Sequence, residues 1–295
     1  MKMIKKYCLF LVLIALLCTF FNLEISELYA ANGNDFEING TNVLTRYNGV
    51  GGSITVPEKV KEIGKKAFAG NGTISAVTLP NSVSYIGMGA FDSCANLEKV
   101  ILPSKLNTIE DNAFWGCKSL KSVTIPSSVT SIGTGAFCQC DSLAGLYIPQ
   151  SVTTIKNYSV GFLYINGEYT PTINFVIIGE KNSAAEAYAE KYQIPFITTK
   201  DLTAKISKVS NSGKGKVKIS WLRNTNCSGY QIQYATDKKF SKAKTVTASA
   251  ESNSKTISSM KKGKTYYFRI RGYRTVAGKK YYSNWSASKS IRIKK

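Results

Sequence analysis

A fixed period constrains this chain more than any other feature. Pro57, Pro80, Pro103, Pro126 and Pro149 fall at steps of 23 residues, as do Phe68, Phe91, Phe114 and Phe137. The same step carries Val60, Val83, Leu106, Val129 and Val152; Ile63, Ile86, Ile109, Ile132 and Ile155; and Ala67, Ala90, Ala113 and Ala136. A unit this short cannot enclose a core alone, but stacked units align each apolar column and bury it between neighbours, so the period predicts a solenoid. Each unit ends in a short alternation such as Leu97, Val100 and Leu102, which reads as a strand with its apolar side chains inward.

The ends of the array are expected to be capped. Asp35-Phe36-Glu37-Ile38 and Val43-Leu44-Thr45-Arg46-Tyr47, separated by a loop containing Asn39-Gly40, read as a hairpin covering the first coil. The fifth unit departs from the pattern at Asn157-Tyr158-Ser159 and lacks the Ala-Phe pair; the apolar strand Phe175-Val176-Ile177-Ile178 follows. Ser183 and Glu186 then form a capping box that opens a short helix to about Tyr192. With Ile194-Pro195-Phe196, that helix reads as the closing cap.

Cys94, Cys117 and Cys140 occupy one place in successive units and so stack in a column. Interior thiols of this kind pack as small apolar groups. A secreted setting leaves a disulfide open as an alternative. A metal site fits least, because three cysteines spread along a ladder do not converge on one point. Cys138 lies too close to Cys140 in sequence to bond to it readily. With Cys227 the cysteines after residue 30 number five, an odd count that leaves a free thiol unless chains pair.

From about residue 201 the period changes to two. Val217, Ile219 and Trp221 alternate with Lys216, Lys218 and Ser220; Tyr230, Ile232 and Tyr234 with Gln231 and Gln233; Tyr266, Phe268 and Ile270 with Tyr267, Arg269 and Arg271. Short half-buried strands joined by Gly- and Ser-containing turns predict a β-sandwich. Charge changes at the same place. Residues 31–200 carry thirteen Lys and Arg against thirteen Asp and Glu, whereas residues 201–295 carry twenty-three against three, Asp201, Asp237 and Glu251. A cationic surface of that density attracts polyanions over about a Debye length, ~8 Å at physiological salt. The candidate polyanion-binding residues are Lys216, Lys218, Arg269, Arg271, Lys279 and Lys280. A second candidate face comprises outward strand positions of the solenoid: Ala76, Lys99, Ser122 and Gly145 in one row, and Thr78, Ile101, Thr124 and Tyr147 in the other.

The leader sets the compartment. Lys2, Lys5 and Lys6 precede an uncharged apolar run from Tyr7 to Phe21 and a polar stretch ending in Leu28-Tyr29-Ala30, the layout of a signal peptide cleaved after Ala30. An uncleaved anchor and lipidation at Cys18 are the alternatives. The chain contains no histidine, which removes a triad base, an imidazole proton shuttle and most catalytic zinc sites. A paired-carboxylate mechanism would survive that test, but Glu98, Glu110 and Asp111 sit at variable repeat positions and read as a solvated face. Neither catalytic residues nor cofactor nor metal are expected.

The unit Pro-x-x-Val-x-x-Ile-Gly-x-x-Ala-Phe-x-x-Cys-x-x-Leu-x-x-Val-x-Leu/Ile resembles that of the BspA-like leucine-rich-repeat family, and the likeness to a leucine-rich repeat implies that the Ala-Phe stretch lies on the returning, partly helical side. The later segment resembles a fibronectin type III domain in Trp221, Gly229-Tyr230-Gln231-Ile232-Gln233-Tyr234, Met260 with Tyr266-x-Phe268-x-Ile270, and Tyr282-Ser283-Asn284-Trp285-Ser286. That resemblance implies that Tyr266 ties its strand to the preceding loop. The integrin tripeptide is absent, since Arg271-Gly272 is followed by Tyr273. The expected fold is mainly β with short helices: signal peptide 1–30, cap hairpin 31–56, solenoid with closing cap 57–200 and sandwich 201–295. Together the two resemblances imply a non-catalytic adhesion or ligand-binding protein, secreted or on a bacterial cell surface. Expected partners are anionic wall polymers, glycans or host surface proteins, with nucleic acid held only non-specifically. A wall-retained spacer and an accessory to a carbohydrate-active enzyme are the alternatives.

Overall fold

A computed structural model describes residues 33–276 and 278–294; the leader, with Cys18, lies outside them. The chain divides into two compact units, one of Met1–Ser142 with Thr154–Thr170 and one of Leu143–Thr153 with Pro171–Lys295.

In the first unit each proline starts a tight turn whose carbonyl accepts from the amide three residues on, as in Pro57 to Val60 (3.0 Å) and Pro103 to Leu106 (3.2 Å). A two-residue strand follows in every coil: Glu62–Ile63, Tyr85–Ile86, Thr108–Ile109, Ser131–Ile132 and Thr154–Ile155. These pair in parallel, and the hairpin Phe36–Ile38/Val43–Tyr47 joins them through Leu44 opposite Ile63. This gives a seven-stranded sheet that no alternation in the sequence announced, because two residues cannot alternate. The expected strand at the unit's end is present as Gly52–Thr55, Ile74–Thr78 and Lys99–Ile101, again in parallel register.

The Ala-Phe stretch is not helical, contrary to expectation; it is a run of turns. The reason is local backbone geometry. Two positions per coil adopt positive φ: Lys66 (57°), Gly89 (60°), Asn112 (57°), Gly135 (61°) and Tyr158 (54°) before the pair's place, and Gly70 (73°), Ser93 (58°), Gly116 (67°) and Gln139 (56°) after it. Left-handed residues on both sides end any helix before it can nucleate. The freed amides bond between coils instead, Phe68 to Ala90, Phe91 to Ala113 and Phe114 to Ala136, at 2.7–2.8 Å.

This backbone ladder stacks the rings. Phe68, Phe91, Phe114 and Phe137 are buried, with centroids 4.7, 5.0 and 5.2 Å apart and planes within 8°. Tyr47 of the hairpin covers the first ring at 5.3 Å. The Cys94, Cys117 and Cys140 thiols are free and donate to the carbonyls of Phe68, Phe91 and Phe114 at 3.1, 3.2 and 3.3 Å. Burial pushes Cys94 up to about 12 and also raises Cys117 and Cys140 well above the ordinary thiol value.

The second unit begins with a parallel sheet of Gly145–Tyr147, Val176–Ile178 and Phe196–Ile197. The helix Ala184–Lys191 packs beside it. Ser183 caps it by accepting from Glu186 N at 3.3 Å, and the Glu186 carboxylate reaches back to Asn182 N at 2.6 Å. Two antiparallel sheets form the sandwich: Ile206–Gly213, Lys216–Trp221 and Ser254–Ile257 on one side; Lys244–Ser249, Gly229–Ala235, Thr265–Val276, Lys279–Tyr282 and Lys289–Arg292 on the other. One apolar core contains Trp221, Tyr230, Ile232, Phe268 and Ile270 from the sandwich together with Val176, Ile178 and Ile197 from the strands before it. The chain passes between them through a short 3-10 turn, Thr199–Leu202, whose Asp201 carboxylate accepts from Thr198 N and Oγ1 at 2.8 and 2.9 Å. Tyr266 Oη accepts from Lys261 N at 3.2 Å, as the resemblance implied.

Candidate polyanion-binding surface

Strand alternation places the cations. Lys216 and Lys218 are exposed on the outer face of Lys216–Trp221, because Val217, Ile219 and Trp221 take the inner one. The antiparallel register brings exposed Lys208 opposite Ser220, on the same outer face. Successive outward residues on a strand stand about 7 Å apart, within the Debye length, so their fields add.

Arg269 and Arg271 also point outward, but they are only half-exposed. The Arg269 guanidinium lies 4.2 Å from the Phe240 ring centroid and 4.7 Å from that of Trp285; Arg271 lies 4.3 Å from Trp285 and 4.0 Å from Tyr282. Gln233 Oε1 accepts from Arg269 Nε and Nη2 at 2.9 and 2.6 Å, and Gln231 Oε1 accepts from Arg271 Nε at 2.8 Å. Burial, helped by the Arg269 charge, lowers the Arg271 pKa below its ordinary value, with Tyr282 opposing. These arginines alternate with aromatic rings in one layered stack, an arrangement that holds the sandwich face together. Lys280 Nζ lies over Tyr273 at 4.7 Å and Lys279 Nζ over Tyr281 at 5.5 Å; both lysines stay exposed.

The three carboxylates of this region are already engaged. Asp201 is bound to Thr198, Asp237 accepts from Ser241 N and Oγ at 3.2 and 3.3 Å, and Glu251 pairs with Arg223 at 2.6 Å. One feature escaped the sequence reading. A cavity of about 600 Å³ is lined by Lys242, Lys244, Lys261 and Lys264 together with Tyr234 and Tyr267. These residues come from strand ends and turns separated in sequence, so only topology collects them.

The solenoid face is only partly as expected. Ala76, Lys99 and Ser122 align in one row and Thr78 with Ile101 in the other, with Thr124 exposed and Ile101 46% exposed. Tyr147 does not stand free: its ring stacks on Tyr281 at 4.8 Å and packs against the sandwich core, and Gly145 is buried. Among the described residues no group of three or more potential ligands could hold a metal ion.

Residues 50–162 match the family described as BspA type leucine rich repeat region, in six copies, and residues 205–289 match the fibronectin type III domain. No curated protein matches the chain. Among solved structures, a leucine-rich-repeat protein of Treponema pallidum is 29% identical over 50% of this chain and 71% of its own, with a TM-score of 0.44. A leucine-rich cell surface protein of Faecalibacterium prausnitzii is 29% identical over 42% of this chain and 38% of its own (TM-score 0.37). The FN1–FN3 domains of chicken contactin 1 are 23% identical over 31% and 32% (TM-score 0.26). The chain thus spans under half the length of the last two. With its 23-residue coils and its tyrosine-tied sandwich, this chain belongs to the BspA-type leucine-rich-repeat proteins and carries a fibronectin type III domain after the repeats.

Proposed function

We propose that this protein is a secreted, non-catalytic binding protein of a bacterial cell surface, and that its fibronectin type III domain holds anionic wall polymers or glycans by charge. The observation that carries the reading is the imbalance of twenty-three basic against three acidic residues in 201–295, with those three carboxylates engaged elsewhere. A demand for solubility alone would act equally on the repeats, which are neutral overall. The leader and the BspA-like repeats support the surface assignment. Among the described residues no helix is long and apolar enough to cross a membrane.

The test is binding of the full chain to immobilised polyglycerol phosphate across a salt series. Contact with a polyanion releases condensed counterions, so affinity should fall steeply with salt. Replacing Lys208, Lys216 and Lys218 by Gln should weaken binding and flatten the salt slope, while Lys61→Gln, Lys65→Gln and Lys105→Gln together should leave both unchanged. Equal losses from the two sets, or binding indifferent to salt, would refute the assignment.

A further inference from the structure

The cavity lined by Lys242, Lys244, Lys261 and Lys264 gathers four lysines and the Tyr234 and Tyr267 rings in one concave place. It lies where the Gly229–Ala235 strand ends, the Lys244–Ser249 strand begins, and the loop after Ser254–Ile257 turns back through Ser259 at φ 64° into the long strand. No carboxylate lines it. Asp237, in the loop before Lys242, is held by Ser241. The Tyr266 hydroxyl is taken up by Lys261 N, so the backbone that carries Lys261 is fixed relative to the strand carrying Tyr267.

We infer that this cavity is a binding site for a single sulfated or phosphorylated sugar unit, the repeating element of an anionic glycan or wall polymer. The inference rests on the polyanion reading above and gives it an address. Its volume of about 600 Å³ falls within the range of small-molecule sites, roughly 300–1,000 Å³. Four lysines line one space with no carboxylate among them, so their fields add there and favour an ester oxyanion. The Tyr234 and Tyr267 side chains add apolar wall, which suits the C–H face of a pyranose and is wasted on a bare ion. All four cations are lysines. Compact, rotatable ammonium donors accept sulfate or phosphate without the bidentate geometry that arginine imposes. Arg269 and Arg271, two of the arginines of this sandwich, are committed to the aromatic stack instead.

The experiment titrates the full chain with N-acetylglucosamine 6-sulfate, N-acetylglucosamine 6-phosphate, neutral N-acetylglucosamine and inorganic phosphate, read by NMR. The expected result is saturable shifts at Tyr234, Ser259 and Tyr267 with one or both sugar esters; which ester binds tighter identifies the polymer. Neutral sugar and inorganic phosphate should bind at least about tenfold more weakly, ~1.4 kcal/mol. Lys242→Gln, Lys244→Gln, Lys261→Gln and Lys264→Gln combined should abolish the shifts. The corresponding four Lys→Arg changes should retain them. Removing as many charges elsewhere, at exposed Lys105, Lys118, Lys205 and Lys255, should leave them in place. Equal loss from both Gln sets, or inorganic phosphate matching the sugar esters, overturns the site. If the esters fail to bind while polyglycerol phosphate still does, the site falls and the charge-based function stands; if neither binds, both fall.

Discussion

Replacing Phe114 by alanine removes an inner ring of a four-ring stack. The side chain is completely buried and lies between Phe91 at 5.0 Å and Phe137 at 5.2 Å, nearly parallel to both. Returning a buried aromatic to water costs roughly 1.5–3 kcal/mol. Each lost ring pair adds about 0.5–1.5 kcal/mol. Little of the gap can close, because the coils above and below are tied by Phe91 N to Ala113 O and Phe114 N to Ala136 O. The expected loss is therefore ~3–5 kcal/mol, the range for Phe→Ala in cores. Urea denaturation of the full chain, followed by far-UV circular dichroism, measures it. A double-mutant cycle of Phe91→Ala with Phe114→Ala should show coupling, whereas Phe68→Ala with Phe137→Ala, which share no contact, should be nearly additive. A Phe114→Ala loss under about 1 kcal/mol, close to what surface changes give, would refute the stacked-column account.

Alkylation in denaturant without reductant should modify Cys94, Cys117 and Cys140; modification only after reduction would reveal disulfides. Burial raises the Cys94 thiol from 9.0 to about 12, so the unfolded chain ionises first as pH rises. The contribution of Cys94 to stability is therefore intact below pH 9 and is lost progressively between 9 and about 12, and Cys94→Ala should flatten that slope. In the sandwich, Trp285→Ala removes the ring between Arg269 and Arg271 and should destabilise by about 1–3 kcal/mol in a thermal melt. An unchanged melt would show that the stack holds nothing together.

The columns of the solenoid were legible because each coil repeats one residue at one depth, so burial is printed as periodicity. The Ile-Gly sheet was not, since a two-residue strand has no pattern of its own and exists only through its neighbours. The helical expectation for the Ala-Phe stretch failed because Lys66, Ser93, Asn112 and Gln139 are not glycines and hide their left-handed geometry. Period two correctly turned Lys216, Lys218, Arg269 and Arg271 outward. It could not show Trp285 folding back between the two arginines, although the Tyr282-Ser283-Asn284-Trp285 motif was the available clue. Tyr147 kept its place in the repeat and lost its exposure to Tyr281, a partner over a hundred residues away in sequence. The lysine cavity left no local trace, because loops brought together by strand order form it.

The shared core of the second unit bears on how such a chain could be recombined. Fibronectin type III domains are suited to exchange when their ends are free, so that a cut at the boundary damages neither side. Here Val176, Ile178 and Ile197 lie in the same apolar cluster as Trp221 and Phe268, and Leu202 at the crossing is fully buried. A graft made at residue 200 would separate side chains that fill one interior. A transplant that preserves this interior has to carry the parallel strands Gly145–Tyr147, Val176–Ile178 and Phe196–Ile197 along with the sandwich. The unit inherited intact is thus larger than the fibronectin sequence alone.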